Sequence, residues 1–160
     1  MCCLSINFKS MPQSLASILV HLVFSTKGRE PWLADPFRDE LHAYMGGMIA
    51  NCGGVLFRAG SVADHIHLLL SHPRTMAPAD LVQDIKTGSS KWLKRQAKGM
   101  AGFHWQGGYG MFSISPGHRA AVERYIAGQA VHHRKVTFQD EYRRLLTKYE
   151  VEWEEKYVWD

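Results

Sequence analysis

Cysteine is nearly missing from this chain, and the three that occur, Cys2, Cys3 and Cys52, have neither disulfide-framework nor zinc-ligand spacing. That excludes a disulfide-stapled secreted scaffold and a Cys-ligated metal fold, and an odd count suits a reducing cytoplasm. A long apolar run is missing too. Leu15 to Phe24 spans only ten residues and contains His21, whereas a bilayer crossing needs ~20. Lys9 precedes that run as in a secretory leader, but no small-residue cleavage site follows before Thr26-Lys27, so the run reads as a buried strand. Repeats, low-complexity tracts and linkers are also lacking, so 160 residues make one domain. Residues 1–12 read as a disordered tail, with Met11 an alternative start, and 13–160 as the folded domain. Charge of one sign is not concentrated: the net charge is +4 and the pI about 9.0, which permits a polyanionic partner without demanding one. Hydrophobic residues at 46% are enough for a core.

Periodicity supplies the elements. Ile18 to Thr26 reads as a strand with Ile18, Val20, Leu22 and Phe24 on one face. Asp35-Pro36 opens a helix carrying Phe37, Leu41, Tyr44, Met48 and Cys52, where Gly46 and Gly47 suggest close packing and Gly53-Gly54 is the stop. Val55–Val62 and His65–Ser71 read as strands joined at Ala63-Asp64. A second helix runs from about Ala79 to Lys98, burying Leu81, Val82, Ile85, Ser89, Trp92 and Leu93. Phe103 to Ser115 reads as a strand pair around Gly107-Gly108, and Ser115-Pro116 starts a third helix with Val122, Tyr125, Ile126 and Gln129. A last helix, near Thr137 to Tyr149, shows Phe138, Tyr142, Leu145 and Tyr149. The order predicts an α+β, ferredoxin-like βαββαβ antiparallel sheet, with helices on one face and C-terminal helices added. The other face is then left for function or a partner.

Two features can carry chemistry. In Asp64-His65-Ile66-His67, the strand period projects His65 and His67 to one side, two imidazoles fit for a metal or two half-buried, hydrogen-bonded histidines. In Tyr125-Ile126-Ala127-Gly128-Gln129, Tyr125 and Gln129 sit one helical turn apart. The chain has six tyrosines, and Tyr125 taken alone reads first as an amphipathic tyrosine packed on the core.

Taken together and in order, four segments resemble the single-tyrosine HUH transposases of the smallest insertion sequences, including the repeat-associated tyrosine transposases. They are Val20-His21-Leu22-Val23-Phe24-Ser25-Thr26-Lys27, Asp64-His65-Ile66-His67-Leu68, Trp105-Gln106-Gly107-Gly108-Tyr109-Gly110 and Tyr125-Ile126-x-x-Gln129. Gly28, where the family often has an aromatic or basic residue, and Gly128 within the tyrosine helix depart from the pattern. The resemblance implies that His65, His67 and Gln129 bind Mg2+ or Mn2+ and that Tyr125 is the nucleophile. It implies a covalent 5′-phosphotyrosine intermediate on single-stranded DNA with hairpins, in the bacterial cytoplasm. It also implies a homodimer whose active sites are completed in trans.

The chemistry is coherent. A cation neutralises charge developing on a phosphodiester, and a phenol with a pKa near ~10 needs a proton acceptor. Lys91, Lys94, Arg95 and Lys98 share a helix face that tracks phosphates or is simply solvated, and Arg124 flanks the tyrosine. His132 and His133 are adjacent and diverge by ~100° on a helix, which favours an exposed or DNA-facing role over metal ligation. His21 faces away from the apolar side of its strand and reads as site-lining or structural. Competing readings are an inactive or domesticated nucleic-acid binder of the same fold and a phosphoesterase that uses water.

Overall fold

The computed structural model describes residues 14–33, 35–96 and 98–159, so the tail expected over residues 1–12 lies outside the described residues. The element order is β1 (Leu19–Ser25), α1 (Asp35–Asn51), β2 (Val55–Ser61), β3 (His65–Ser71), α2 (Pro78–Gln96), β4 (Gly110–Ile114), α3 (Arg119–Ala127), α4 (Gln129–His132) and α5 (Phe138–Lys148). The four strands form one sheet in the order β2-β3-β1-β4, and every neighbouring pair is antiparallel. This is the expected α+β ferredoxin-like plan. Among the described residues no helix is long and apolar enough to cross a membrane.

The period of two decides which way each strand faces. Val20, Leu22 and Phe24 of β1 and Ile66, Leu68 and Leu70 of β3 are buried against Leu41, Met45 and Ile49 of α1 and Leu81, Ile85 and Leu93 of α2. Each such side chain stabilises the fold by about 1.5–3 kcal/mol relative to exposure. The α1 stripe is rotated from the expected one: Tyr44 and Met48 turn toward α2 instead. Tyr44 stacks on Trp92 with ring centroids 5.5 Å apart, and Met48 Cε fills the space beside Gly88, where a Cβ would meet it at 2.3 Å.

Two further expectations change. The strand pair around Gly107-Gly108 does not form. Only Gly110–Ile114 is a strand, and a lone bridge joins Trp105 to Thr26. The Lys86 ammonium donates to the carbonyls of Gln106, Gly107 and Gly108 at 2.8, 3.1 and 2.7 Å, taking the acceptors a hairpin ladder would need. The second sheet face, expected to be left open, is covered by the chain's own C-terminal helices. Phe138, Tyr142, Leu145 and Leu146 of α5 pack on Val23 and Phe112, and Ile126 of α3 packs on Leu69 and Ile114. Gly60 of β2 permits this approach, since a Cβ there would lie 2.4 Å from the Ile126 carbonyl oxygen.

Candidate active site

The site grows from β1 and β3 on that second face. The β1–β3 register sets Ser25 opposite His65 and Val23 opposite His67, with both histidines essentially inaccessible. Asp64, just ahead of β3, accepts a hydrogen bond from His65 Nδ1 at 2.7 Å. Burial alone would raise the Asp64 carboxyl, but the His65 bond holds it below its ordinary value. A carboxylate on Nδ1 fixes the ring and leaves Nε2 as the ligating lone pair. His21 does the same work for His67: its Nε2 lies 2.9 Å from His67 Nδ1, and the rings stack at 5.1 Å. Burial pushes His21 down to about 3, helped by the neighbouring His67, and His67 down to about 4. Both are therefore neutral imidazoles near pH 7, the form that binds metals.

Glu141, which the sequence did not single out, and His133, which it read as a non-ligand, complete the cluster. Glu141 projects from α5 into the centre at 2% exposure. It accepts hydrogen bonds from the Tyr125 hydroxyl, from Gln129 Nε2 at 3.0 Å and from His133 Nε2 at 2.8 Å. Burial would raise its pKa, yet the bond from His133 and the imidazole of His67 close by hold it far below the usual carboxylate range. His133 is affected in reverse: burial would lower it, but the bond and charge of Glu141 raise it above its ordinary value, with Nδ1 donating to the Val136 carbonyl. The Tyr125 phenol is pushed up by burial and then by Glu141.

His65, His67, His133 and Glu141 place four potential ligand atoms within 4.8 Å of one another. This donor set fits a divalent cation. His67 Nε2 is buried, 3.4 Å from Glu141 Oε2, and without a hydrogen-bond partner; Gln129 Oε1 is likewise buried and unpartnered. A half-turn of the Gln129 amide exchanges its oxygen and nitrogen, so that oxygen can face the cluster. The expectation that His132 and His133 are exposed and stand apart from metal ligation is corrected. His133 joins the cluster, and His132 Nε2 lies 3.6 Å from Glu141 Oε1. Two adjacent side chains diverge from a helix yet reach different oxygens of one carboxylate between them.

Tyr125 lies half-buried in a cleft of about 690 Å³ between α3 and α5, together with His21, His132, Glu141, Arg144 and Lys148. Its ring is 6.0 Å from that of His67 and 6.1 Å from that of His21, all within one chain. Arg144 and Lys148 are cations the sequence reading passed over. Arg124 is exposed on α3. Lys91, Lys94, Arg95 and Lys98 lie elsewhere, on or just beyond α2, which packs on the opposite face of the sheet. Lys91, Arg95 and Lys98 are exposed, Lys94 half-buried.

Comparison with known proteins bears on the family and the fold. A family profile described as IS200-like transposase matches residues 14–129. The ISDra2 transposase TnpA of Deinococcus radiodurans is 27% identical over 114 residues, covering 68% of this chain and 81% of that protein. Among solved structures, a transposase candidate from Deinococcus radiodurans R1 superposes with a TM-score of 0.58 at 24% identity, covering 76% of this chain and 97% of that one. A REP-associated tyrosine transposase bound to a REP hairpin superposes at 0.57 and 14% identity, covering 79% and 74%. The family match ends at Gln129, so His133 and Glu141 lie beyond it.

Proposed function

This chain belongs to the family of IS200-like transposases, and from that premise we propose that it cleaves and rejoins single-stranded DNA bearing hairpins, with Tyr125 as the nucleophile. The observation that carries the reading is the Tyr125 hydroxyl donating to the buried carboxylate of Glu141 beside His65 and His67, in a cleft that also holds Arg144 and Lys148. The phenol oxygen attacks phosphorus, the bond to the 3′ oxygen breaks, and the 5′ phosphate stays on Tyr125 while a 3′-OH departs. The phenolic proton passes by way of the Glu141 carboxylate hydrogen-bonded to it to the departing 3′ oxygen. Resealing by another 3′-OH reverses the step with no nucleotide cofactor.

Metal ligands in this proposal are His65, His67 and Gln129, with His133 and Glu141 adjoining. Mg2+ or Mn2+ bound there supplies positive charge for the phosphate oxygens, and an imidazole-rich set suits Mn2+ better. Arg144 and Lys148 attract the strand into the cleft, and Arg124 holds it beside the tyrosine. Lys91, Lys94, Arg95 and Lys98 track phosphates farther out. The solved relative bound to a REP hairpin supports a hairpin as the recognised element. The reaction takes place in the bacterial cytoplasm, where the DNA is.

The homodimer expected from the resemblance is kept as an assembly of two chains. Active sites completed in trans remain part of this proposal; the meeting of Tyr125, His67 and Glu141 within one chain supports, as the alternative, an arrangement in which each tyrosine serves its own histidines. The direct test is incubation with a hairpin-bearing single strand and Mn2+, read on a denaturing gel. Cleavage that chelation abolishes and duplex DNA does not undergo is the expected result. Cleavage of both DNAs, or none at all, overturns the reading.

A further inference from the structure

A second built cleft, of about 610 Å³, lies on the α1/α2 side of the sheet, between α2 and the loop that follows Phe103. This is within the ~300–1,000 Å³ range of small-ligand sites. Lys86, Lys91, Lys94, Trp105, Gln106 and Tyr109 line it. The phosphate-tracking role accounts for the lysines at its rim. It leaves unexplained a rigid loop, two aromatic rings and a buried amide beside them.

The loop is held from three sides. Lys86 binds its three successive carbonyls and sits 5.1 Å from the Phe24 ring centroid and 5.8 Å from that of Tyr109. Trp105 Nε1 donates to Ser89 Oγ at 2.9 Å, and the backbone N–H of Gln106 donates to the Ser25 carbonyl at 2.9 Å. With its donors spent on the loop, Lys86 is a structural clamp, and burial lowers it to about 8. Lys91 and Lys94 remain to meet an anion. Gln106 is only 6% exposed, and its Oε1 has no hydrogen-bond partner. A buried acceptor of this kind costs free energy unless something donates to it. Tyr109 is 36% exposed, and nothing lies within 4 Å of where a Gly108 Cβ would be, so the space over the loop is open.

We propose that this cleft is a subsite for one unpaired nucleotide of the DNA strand, with its base against Tyr109, a base-edge N–H donating to Gln106 Oε1, and its phosphate on Lys91 and Lys94. The proposal rests on the DNA-processing reading above and adds a recognition element remote from Tyr125. An unpaired base offers both a π-face and a free donor edge, whereas a base within a duplex has its faces stacked and its pairing edge occupied. Phosphate alone requires neither the ring nor the amide. Because the loop is already fixed, little ordering cost opposes binding.

The test uses the full chain and a DNA hairpin with unpaired flanks on both sides, carrying 5-iododeoxyuridine at each unpaired position in turn. After irradiation and digestion, one position should crosslink to the peptide holding Trp105 to Tyr109. Tyr109→Ala and Gln106→Leu should each weaken binding of this DNA about tenfold, while blunt duplex affinity and Mn2+ uptake stay unchanged. Tyr109 is exposed, so its variant keeps the test valid if Gln106→Leu fails to fold. Crosslinks that map elsewhere from every position, or a Tyr109→Ala variant that binds like the wild type, overturn the subsite. Binding and crosslinking at this loop without any strand cleavage support the subsite and overturn only the transposase chemistry. No binding of the hairpin DNA overturns both.

Discussion

Replacing Glu141 by Gln removes one charge from the centre of the site while preserving its shape. Glu141 accepts from Tyr125, Gln129 and His133 at once. The glutamine retains one acceptor oxygen, but its NH2 faces a donor. A hydrogen bond to a charged group contributes about 1.5–3 kcal/mol, so the metal-free variant should lose about 2–3 kcal/mol. At this chain length that lowers Tm by roughly 4–12 °C. Glu141→Ala, which strands all three donors, should cost about 3–5 kcal/mol. The effect should also depend on pH in a defined direction. Glu141 is held below its ordinary 4.5, so its contribution is present above that value and is lost as pH falls through the folded pKa. His133 is raised above 6.5, so its contribution is full below 6.5 and is lost as pH rises through the folded pKa. The gap between wild type and Glu141→Gln should therefore be widest between pH 4.5 and 6.5 and shrink on both sides. Urea titrations in chelator across this range measure it. A gap that is absent, or constant with pH, would refute the idea that Glu141 and His133 form a charged pair here.

Four other outcomes are expected. His65→Ala and His67→Ala should each weaken Mn2+ binding at least tenfold to hundredfold by calorimetry, and unchanged affinity in both would return them to ordinary buried histidines. Wild-type metal-free protein should lose stability as pH falls below 6.5, because His21 and His67 are neutral when folded and take up protons on unfolding. The slope for two protons is up to about 2.7 kcal/mol per pH unit, and a flat profile from pH 6.5 to 5 contradicts the burial argument. Gly60→Ala should displace α3 and lower Tm by an overpacking cost of about 1–3 kcal/mol, with reduced cleavage; wild-type values for both would mean that α3 does not depend on that contact. Mixed dimers of His65→Ala and Tyr125→Phe, verified by differential tags, should stay inactive if tyrosines act in cis, whereas restored cleavage would establish exchange in trans.

Where the sequence was readable, a single local period decided the outcome. The alternation in β1 and β3 divides Val20, Leu22 and Phe24 from His21, and Ile66 and Leu68 from His65 and His67, and the structure keeps that division. Long-range contacts account for what was hidden. Lys86 reaches across from α2 to take the carbonyls of residues 106–108, so a segment with strand-like composition stays a loop. Tyr44 and Met48 are drawn sideways because α2 presents Trp92 and Gly88 to them. Glu141 could have been noticed as a carboxylate set at helical spacing among Phe138, Tyr142 and Leu145, a stripe where an unpaired charge is costly. His133 is visible as one of two adjacent histidines, a pattern that reads against ligation because neighbours on a helix diverge; its place in the cluster follows from where α4 ends and α5 returns.

The central claim is that Tyr125 attacks the phosphodiester, and peptide mapping of a trapped protein–DNA adduct tests it most directly. After reaction with hairpin-bearing single-stranded DNA and Mn2+, quenching, nuclease trimming and proteolysis, mass spectrometry should find a 5′-linked nucleotide on the peptide containing Tyr125. Tyr125→Phe, which keeps the ring and removes the hydroxyl, should yield neither adduct nor cleavage while still binding the DNA. An adduct on another residue, or cleavage at the wild-type rate by Tyr125→Phe, would contradict the account.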